Sequence, residues 1–379
     1  TPVTSNARDS RHPLVSGGGI ALTMNPEPLS DYFDLFILGE AEEALLRFAA
    51  AVSEARQLEL DKKTLLLEAQ KKVPGVYVPS LYAVNYSRQG KIRDILPLAD
   101  GLPGKIQISS IKNINAFSTT EVISSRDAEM GDMFLVEVNR GCPHRCRFCA
   151  AGHVYAPPRF RSYKEIISVV DDGLRIKKKI GLVGTAVSDH PDLVKICQYI
   201  VNQGAQAGIG SLRLDRINET TVGLIKECGI ETVALAPEAG SQRLRNVINK
   251  TQTEEQMMRA ISLAQELNFP QLKLYFMVGH PTEQDEDIQA LIDFVLAARQ
   301  RFKRRPERRA EDEPSNEHSE RQSTVHQVEA ARGALGPDVG NHGIRHAHLL
   351  KRLPAILLFH RAPQVPGTMI RRGCFIRKQ

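Results

Sequence analysis

Through the middle of the chain, short apolar runs alternate with stretches whose apolar residues recur every three to four positions. The runs at 133–138, 180–187, 207–214, 232–236 and 272–278 read as strands, and 163–177, 191–202, 219–228, 254–267 and 283–299 read as helices. The strands carry too little polar alternation to face water, so they are expected to lie parallel in a sheet covered by helices. Local punctuation agrees. Ser162 and Glu165 have capping-box spacing, Pro191 suits a first helical position, and Thr282 precedes an acidic first turn. Five β/α units fit a partial (β/α) barrel better than a sandwich or a bundle, and in such a barrel chemistry gathers at the carboxyl ends of the strands. Polar and Gly residues fall there: Gly184, Ser188 and Asp189 after the second run, Ser211, Arg213 and Asp215 on and after the third, Glu238 and Gly240 after the fourth, and Gly279, Pro281 and Thr282 after the fifth.

Directly after the first strand stands Gly141-Cys142-Pro143-His144-Arg145-Cys146-Arg147-Phe148-Cys149, three thiols spaced C-x-x-x-C-x-x-C. Thiolates are soft ligands suited to iron and zinc, and a tetrahedral site normally needs four protein ligands to close it. Three cysteines leave one corner open, which suits a [4Fe–4S] cluster with an exogenous ligand. Zinc is the alternative, with His153 the better fourth ligand because His144 lies inside the short loop itself. Cys197, in the stripe Leu193, Val194, Ile196, Ile200, Val201, and Cys228, beside Gly229, read as core residues.

With Phe148 just before the last cysteine, this run resembles the hallmark of the radical S-adenosylmethionine (radical SAM) superfamily. The resemblance implies an α/β fold, a partial (β/α) barrel of the radical SAM type. It implies that Cys142, Cys146 and Cys149 are the metal-ligating and catalytic cysteines of a [4Fe–4S] cluster, whose open iron takes S-adenosyl-L-methionine (SAM). Reductive cleavage then gives a 5′-deoxyadenosyl radical that acts on a substrate the sequence does not name, with methyl or methylthio transfer among the outcomes. Phe148 would border the cluster, Arg213 would meet the SAM carboxylate, Ser211 the ribose, and Glu238 would border SAM as part of the Glu-x-Gly-Ser segment. The family's second strand often ends in Gly-Gly-Glu. Here the run is Gly181-Leu182-Val183-Gly184-Thr185-Ala186, so Gly184 takes that place without the acid. A reductase such as flavodoxin or ferredoxin is implied as electron donor. An electron carrier would want a fourth Cys ligand, and a zinc-stabilised binding module would show no dependence on SAM.

Upstream, 12–40 reads as strand, Gly-rich turn (Gly17-Gly18-Gly19), helix and strand, ending in Gly39-Glu40-Ala41-Glu42-Glu43. This resembles the second half of the Rossmann-like cobalamin-binding domain that precedes the barrel in one branch of the superfamily. The branch implies bound cobalamin, and a docking domain that has lost it is the alternative. The expected organisation is 1–56 as this partial cobalamin-binding-like segment, 57–131 as linker and small cover, 132–300 as the radical SAM core, and 301–379 as a basic irregular tail.

Charge supports the last boundary. From residue 301 there are 16 Lys/Arg against 8 Asp/Glu, leaving 34 against 36 in the first 300, so the net charge of +6 belongs to the tail. The tail shows no strand where a sixth barrel strand should follow Arg299, which suits a disordered extension or, preferably, a stretch read out of frame. On that reading this copy lacks its last strand and part of its substrate wall, and would be inactive. Basic clusters can neutralise phosphates, but no aromatic interleaving supports nucleic-acid binding. No apolar stretch approaches membrane-spanning length and no signal peptide opens the chain, although Thr1 in place of Met suggests a fragment. Thiols destined for an oxygen-sensitive cluster imply a reducing, cytoplasmic compartment.

Overall fold

The computed structural model describes residues 1–302, apart from 121, 122, 124, 126, 129, 211, 212 and 214–217, together with the backbone of 324–332. These divide into two units. The first comprises Thr1–Phe117 with Gly141–Pro143 and Ala150–Arg159; the second comprises Ser118–Arg140, His144–Cys149 and the described residues from Phe160 onward.

In the first unit, β1 (Ser16–Gly18), α1 (Ile20–Met24) and β2 (Leu35–Ile37) realise the strand, Gly-rich turn, helix and strand read from the sequence. β1 and β2 are parallel, and β3 (Val76–Tyr77) joins the other edge of β2 antiparallel. α2 (Ala41–Gln57) and α3 (Lys62–Lys72) flank this sheet, with Asp61 capping α3 by accepting from the Thr64 N–H. β4 (Tyr82–Tyr86) and β5 (Ile92–Pro97) form an antiparallel hairpin. The packing does not break after residue 56 as expected. Leu65, Leu66, Ala69 and Val73 of the α3 region share one core with Leu35, Phe36 and Phe48, and that core continues through Val76, Tyr77 and Val78. Asp34 sits fully buried beneath it, paired with Arg8 at 3.0 Å and Lys62 at 2.7 Å. α4 (Ala150–Val154), the helix leaving the last cysteine, lies against α1.

The second unit carries the β/α repeat. β6 (Phe134–Arg140), β8 (Lys179–Gly184) and β9 (Gln206–Ile209) are parallel, with the two-residue β7 (Arg159–Phe160) outside β6. α5 (Tyr163–Leu174), α6 (Leu193–Asn202) and α7 (Glu219–Glu227) follow their strands. The buried face of α5 (Ile166, Val170) meets Phe134, Val136, Ile180 and Leu182, while α6 adds Ile196 and Ile200. Full burial of such a side chain contributes about 1.5–3 kcal/mol.

A second parallel sheet holds β10 (Thr232–Glu238), β11 (Gln271–Val278) and β12 (Thr324–Arg332). Between and after them run α8 (Gln242–Val247), α9 (Glu254–Glu266) and α10 (Asp285–Arg301). Val233, Leu235, Leu272, Leu274 and Phe276 pack under Met257, Ile261 and Ile292. Alternation along β11 leaves Lys273, Tyr275 and Met277 half-buried on the opposite face, where the Lys273 ammonium lies 4.7 Å from the Tyr275 ring centroid. Among the described residues no ladder joins β9 to β10, and the parallel strands make a partial barrel.

Expected strands and helices are recovered with shifted ends. Ser162 caps α5 by accepting from Glu165 N–H, α6 begins at Leu193 rather than at Pro191, and α10 begins at Asp285 under a reciprocal cap between Gln284 and Asp287. The expectation of no strand beyond Arg299 is corrected by β12, which runs beside β11 from Gln271↔Thr324 to Val278↔Arg332. An open parallel edge offers unpaired backbone donors and acceptors, and it can recruit a strand whose own pattern is weak. The remainder of the tail expectation, 303–323 and 333–379, lies outside the described residues. No described helix is long and apolar enough to cross a membrane.

Candidate functional site

β6 delivers the chain into the cysteine loop through Gly141, at φ +77°. A Cβ there would stand 2.3 Å from the Tyr155 carbonyl oxygen, so the turn admits only glycine. Cys142, Cys146 and Cys149 are half-exposed, whereas Cys197 and Cys228 are buried. A hydrogen bond to Cys228, together with burial, pushes the Cys197 thiol up and away from thiolate character. Those two thiols serve the core, as expected.

The loop is fastened by its main chain. Arg147 N–H donates to the Ile248 carbonyl at 2.9 Å, and its guanidinium donates to the Val247 carbonyl. The Asn249 amide donates to the carbonyls of His144 and Arg145, each at 3.0 Å. The His144 Nε2 lies 2.9 Å from Asp189 Oδ2, which ties the ring to the loop's seat. Phe148 packs on Ala239, Leu244 and Ile248, with Val247 and Met277 around the same cluster. His153, the other zinc candidate, is on α4 in the first unit. Three accessible soft donors on a loop held by other atoms fit an iron–sulfur cluster with one open position.

The strand ends supply the rim. At Gly184 a Cβ would come within 2.1 Å of Asn139 Oδ1, so glycine there permits β6 and β8 to close on one another. Ser188 Oγ accepts from the Arg213 N–H at 3.3 Å, and the Arg213 guanidinium stands 3.9 Å from Asp189. Asp189 thereby connects the cysteine loop to Arg213. Ser211 and Asp215 lie outside the described residues.

Glu238 ends β10 at φ +68° and pairs with Lys250 at 3.1 Å. Register shifts between Leu235 and Glu238, where Pro237 has no N–H to give the ladder. The following turn is rigid. Buried Arg245 donates to the carbonyls of Ala239 (3.1 Å), Gly240 (2.6 Å) and Gln252 (2.9 Å). Ser241 caps α8 and also bonds Asp287, which holds Arg243 as well. Inside β6, Glu137 accepts from Arg140 and Arg161; burial would raise its carboxyl, but the two guanidinium partners hold it below the usual range.

The structure thus gathers two groups of residues around the loop: His144, Asp189 and Arg213, and Phe148 with Glu238 and Lys250 near the turn. It adds Asn139, Lys250, Asn249 and His280, which sequence reasoning did not single out. His280 was within reach of that reading, since it stands between Gly279 and Pro281 at the end of an apolar strand. Its ring centroid is 6.5 Å from that of Phe148.

Residues 136–295 match the family model described as "Radical SAM superfamily", and residues 1–79 match "Radical SAM proteins, N-terminal". An uncharacterized protein of Methanocaldococcus jannaschii is 30% identical over 299 residues, covering 78% of this chain and 59% of that one. An uncharacterized methyltransferase of Pyrococcus horikoshii is 24% identical over 288 residues, covering 73% and 56%. The chain therefore spans a little over half the length of these relatives. In fold it is similar to the radical S-adenosylmethionine methyltransferase TsrM of Kitasatospora setae, solved with cobalamin and a [4Fe–4S] cluster bound. That likeness has a TM-score of 0.53 and 15% identity, over 76% of this chain and 53% of that one. The hallmark cysteine loop, the parallel β/α repeat and both matched models converge: the chain belongs to the radical SAM superfamily.

Proposed function

We propose that this chain is a radical SAM enzyme in which Cys142, Cys146 and Cys149 hold a [4Fe–4S] cluster and Arg213, Glu238, Gly184 and Ser211 line the SAM site. The observation that carries this reading is the cysteine loop itself, half-exposed thiols on a backbone fastened to Val247, Ile248, Asn249 and Asp189 beside the strand ends. When bound, the cluster supplies the electron that splits SAM into methionine and a 5′-deoxyadenosyl radical. The protein's part is positional. Arg213, steadied by Ser188 and Asp189, offers a cation suited to a carboxylate, Gly184 opens the rim, and Glu238 is paired with Lys250 at 3.1 Å. An external reductase and a reducing compartment belong to this reading.

Methyl transfer is the outcome we favour, supported by the names of the Pyrococcus relative and of TsrM. Cobalamin is proposed as second cofactor at the Gly-rich turn of the first unit. Gly19 there has φ +96° and nothing within 4 Å of where a Cβ would stand, so its backbone is open to a bound group.

The test is anaerobic reconstitution with iron and sulfide in the presence of hydroxocobalamin, gel filtration, then dithionite and SAM, with 5′-deoxyadenosine followed by mass spectrometry. The wild-type chain should elute brown, with cobalamin retained, and form 5′-deoxyadenosine, while Cys146→Ala should do neither cluster assembly nor cleavage. A colourless protein containing one zinc would overturn the reading. A brown protein that retains its cluster and never cleaves SAM would favour an electron carrier, and loss of cobalamin alone would reduce the first unit to a docking domain.

A further inference from the structure

β11 keeps two kinds of side chain apart. Leu272, Leu274, Phe276 and Val278 are buried with residues of α9 and α10, while Lys273, Tyr275 and Met277 stand half-buried on the opposite face, turned into the partial barrel. Polar groups near Lys273 on that face are matched to one another. Thr232 Oγ1 donates to Gln271 Oε1 at 2.9 Å where the two strands begin, and Glu238 pairs with Lys250 at 3.1 Å where β10 ends. The Lys273 ammonium has the Tyr275 ring 4.7 Å away and, among the described residues, no carboxylate within ion-pair distance. Its ladder neighbour on β10 is Ala234, with Ala236 next on the same face, so no large side chain of that strand fills the space beside it.

A half-buried cation gives up hydration, and an opposite charge is what restores the loss. A ring at this distance returns about 0.5–2 kcal/mol and leaves the charge uncancelled. Glu238, the acid at the end of the neighbouring strand, is already engaged by Lys250, so the missing anion has to come from outside the chain. The strand sets the reach of its carrier. From Lys273 to Met277 it runs about 13 Å, at roughly 3.3 Å per residue. Met277 packs on the same Ala239, Leu244 and Ile248 cluster as Phe148, one residue before Cys149. A molecule with its acidic end at Lys273 must therefore be elongated if its other end is to approach the cysteine loop.

We propose that Lys273, braced on the Tyr275 ring, is an anion site inside the barrel that anchors the acidic head group of an elongated substrate. The anion site stands on this geometry, and its use by the substrate rests on the functional reading above. The probe is 8-anilinonaphthalene-1-sulfonate, compared with N-phenyl-1-naphthylamine, the same ring system without the charge. Equilibrium dialysis at low and high salt gives both affinities for the reconstituted wild-type chain, for Lys273→Met, which keeps an apolar stem and removes the charge, and for Lys273→Arg. Iron content, 5′-deoxyadenosine formation and circular dichroism are recorded on the same samples.

Wild type should take up one equivalent of the sulfonate, more weakly as salt rises, while uptake of the neutral amine ignores salt. In Lys273→Met the ratio of sulfonate to amine affinity should fall by roughly 10- to 100-fold, the span of one charge-assisted contact, and Lys273→Arg should keep most of it. A wild type that takes up no sulfonate, or takes it up regardless of salt, overturns the proposal without any variant, so a Lys273→Met chain that fails to fold does not protect it. An unchanged ratio in Lys273→Met overturns it as well and leaves Lys273 as packing for Tyr275. If the sulfonate site is present in a chain that assembles no cluster or cleaves no SAM, the anion site stands and its use by the substrate falls with the functional reading; if SAM is cleaved and the sulfonate site is absent, only this inference falls.

Discussion

Arg159 is the residue whose loss should be felt most in the first unit. Its guanidinium forks onto Glu40 at 2.7 and 2.6 Å, donates to the Ile111 carbonyl at 2.5 Å, and reaches Ser110 Oγ at 3.1 Å. Glu40 has little access to water, with 4% of its side chain exposed against 11% for Arg159. Arg159→Leu takes the guanidinium from that carboxylate and leaves it buried, with the Ile111 N–H at 2.6 Å still donating to it. Removing one member of a buried pair costs about 3–5 kcal/mol, out of roughly 5–15 for a typical domain. At about 2–4 °C per kcal/mol, the first unit should melt on the order of 10 °C lower. With no Trp in the chain, tyrosine emission and far-ultraviolet circular dichroism report the transition. Glu40→Leu combined with Arg159→Leu should recover much of the loss, since no charge is then stranded. The reasoning is refuted if Arg159→Leu lies within 1 kcal/mol of wild type, or if the two substitutions simply add.

Two further outcomes follow from buried groups and tight glycines. Burial would raise the Asp34 carboxyl, but Lys62, the Val15 N–H, Arg8 and Ser5 outweigh it and hold it below its ordinary value near 3.9. Its stabilisation is whole above that ordinary value and is lost as pH falls through the depressed one. The urea midpoints of wild type and Asp34→Asn should therefore differ most above about pH 4 and converge below it; a gap that widens in acid would contradict the sign. Gly240→Ala puts a Cβ 2.2 Å from the Leu291 backbone nitrogen and should cost about 1–3 kcal/mol, whereas Gly223→Ala on α7 meets nothing within 4 Å and should stabilise by roughly 0.5–1 kcal/mol. Thermal melts showing one sign for both would refute this account of the glycines.

Where the sequence was legible, a strong local period made it so. The stripe Ile166 and Val170 announces α5, and the apolar alternation of 271–278 announces β11. α3 was hidden by its ends: Lys62, Lys63, Lys71 and Lys72 give it a linker's composition, while Leu65, Leu66 and Ala69 between them complete the first core. β12 was hidden by the polar tail around it, because a strand added to an open edge is specified by its neighbour's backbone more than by its own pattern. Partnerships across long stretches of chain left no local trace. Glu40 and Arg159 are 119 residues apart, Asn249 and His144 are 105 apart, and Asp189 is 45 from His144. Each residue alone reads as an ordinary polar position, and only the topology brings the pairs together. The three cysteines were legible for the opposite reason, since all of them fall in one short run.

That contrast bears on how the cysteine loop meets a metal. Ordering a backbone costs about 1–2 kcal/mol per residue, so the six residues 144–149 would cost roughly 6–12 kcal/mol if they were ordered only when a cluster arrived. The fastenings through Ile248, Val247, Asn249 and Asp189 already supply that order, and none of them runs through a cysteine sulfur. Binding free energy gained at sulfur therefore need not be spent on folding the loop. The same seat reaches the rim: Asp189 holds both His144 and Arg213, and Phe148 lies against His280. A ligand that engages Arg213 touches a residue whose neighbour Asp189 holds the loop, so cofactor binding and loop geometry share one set of contacts.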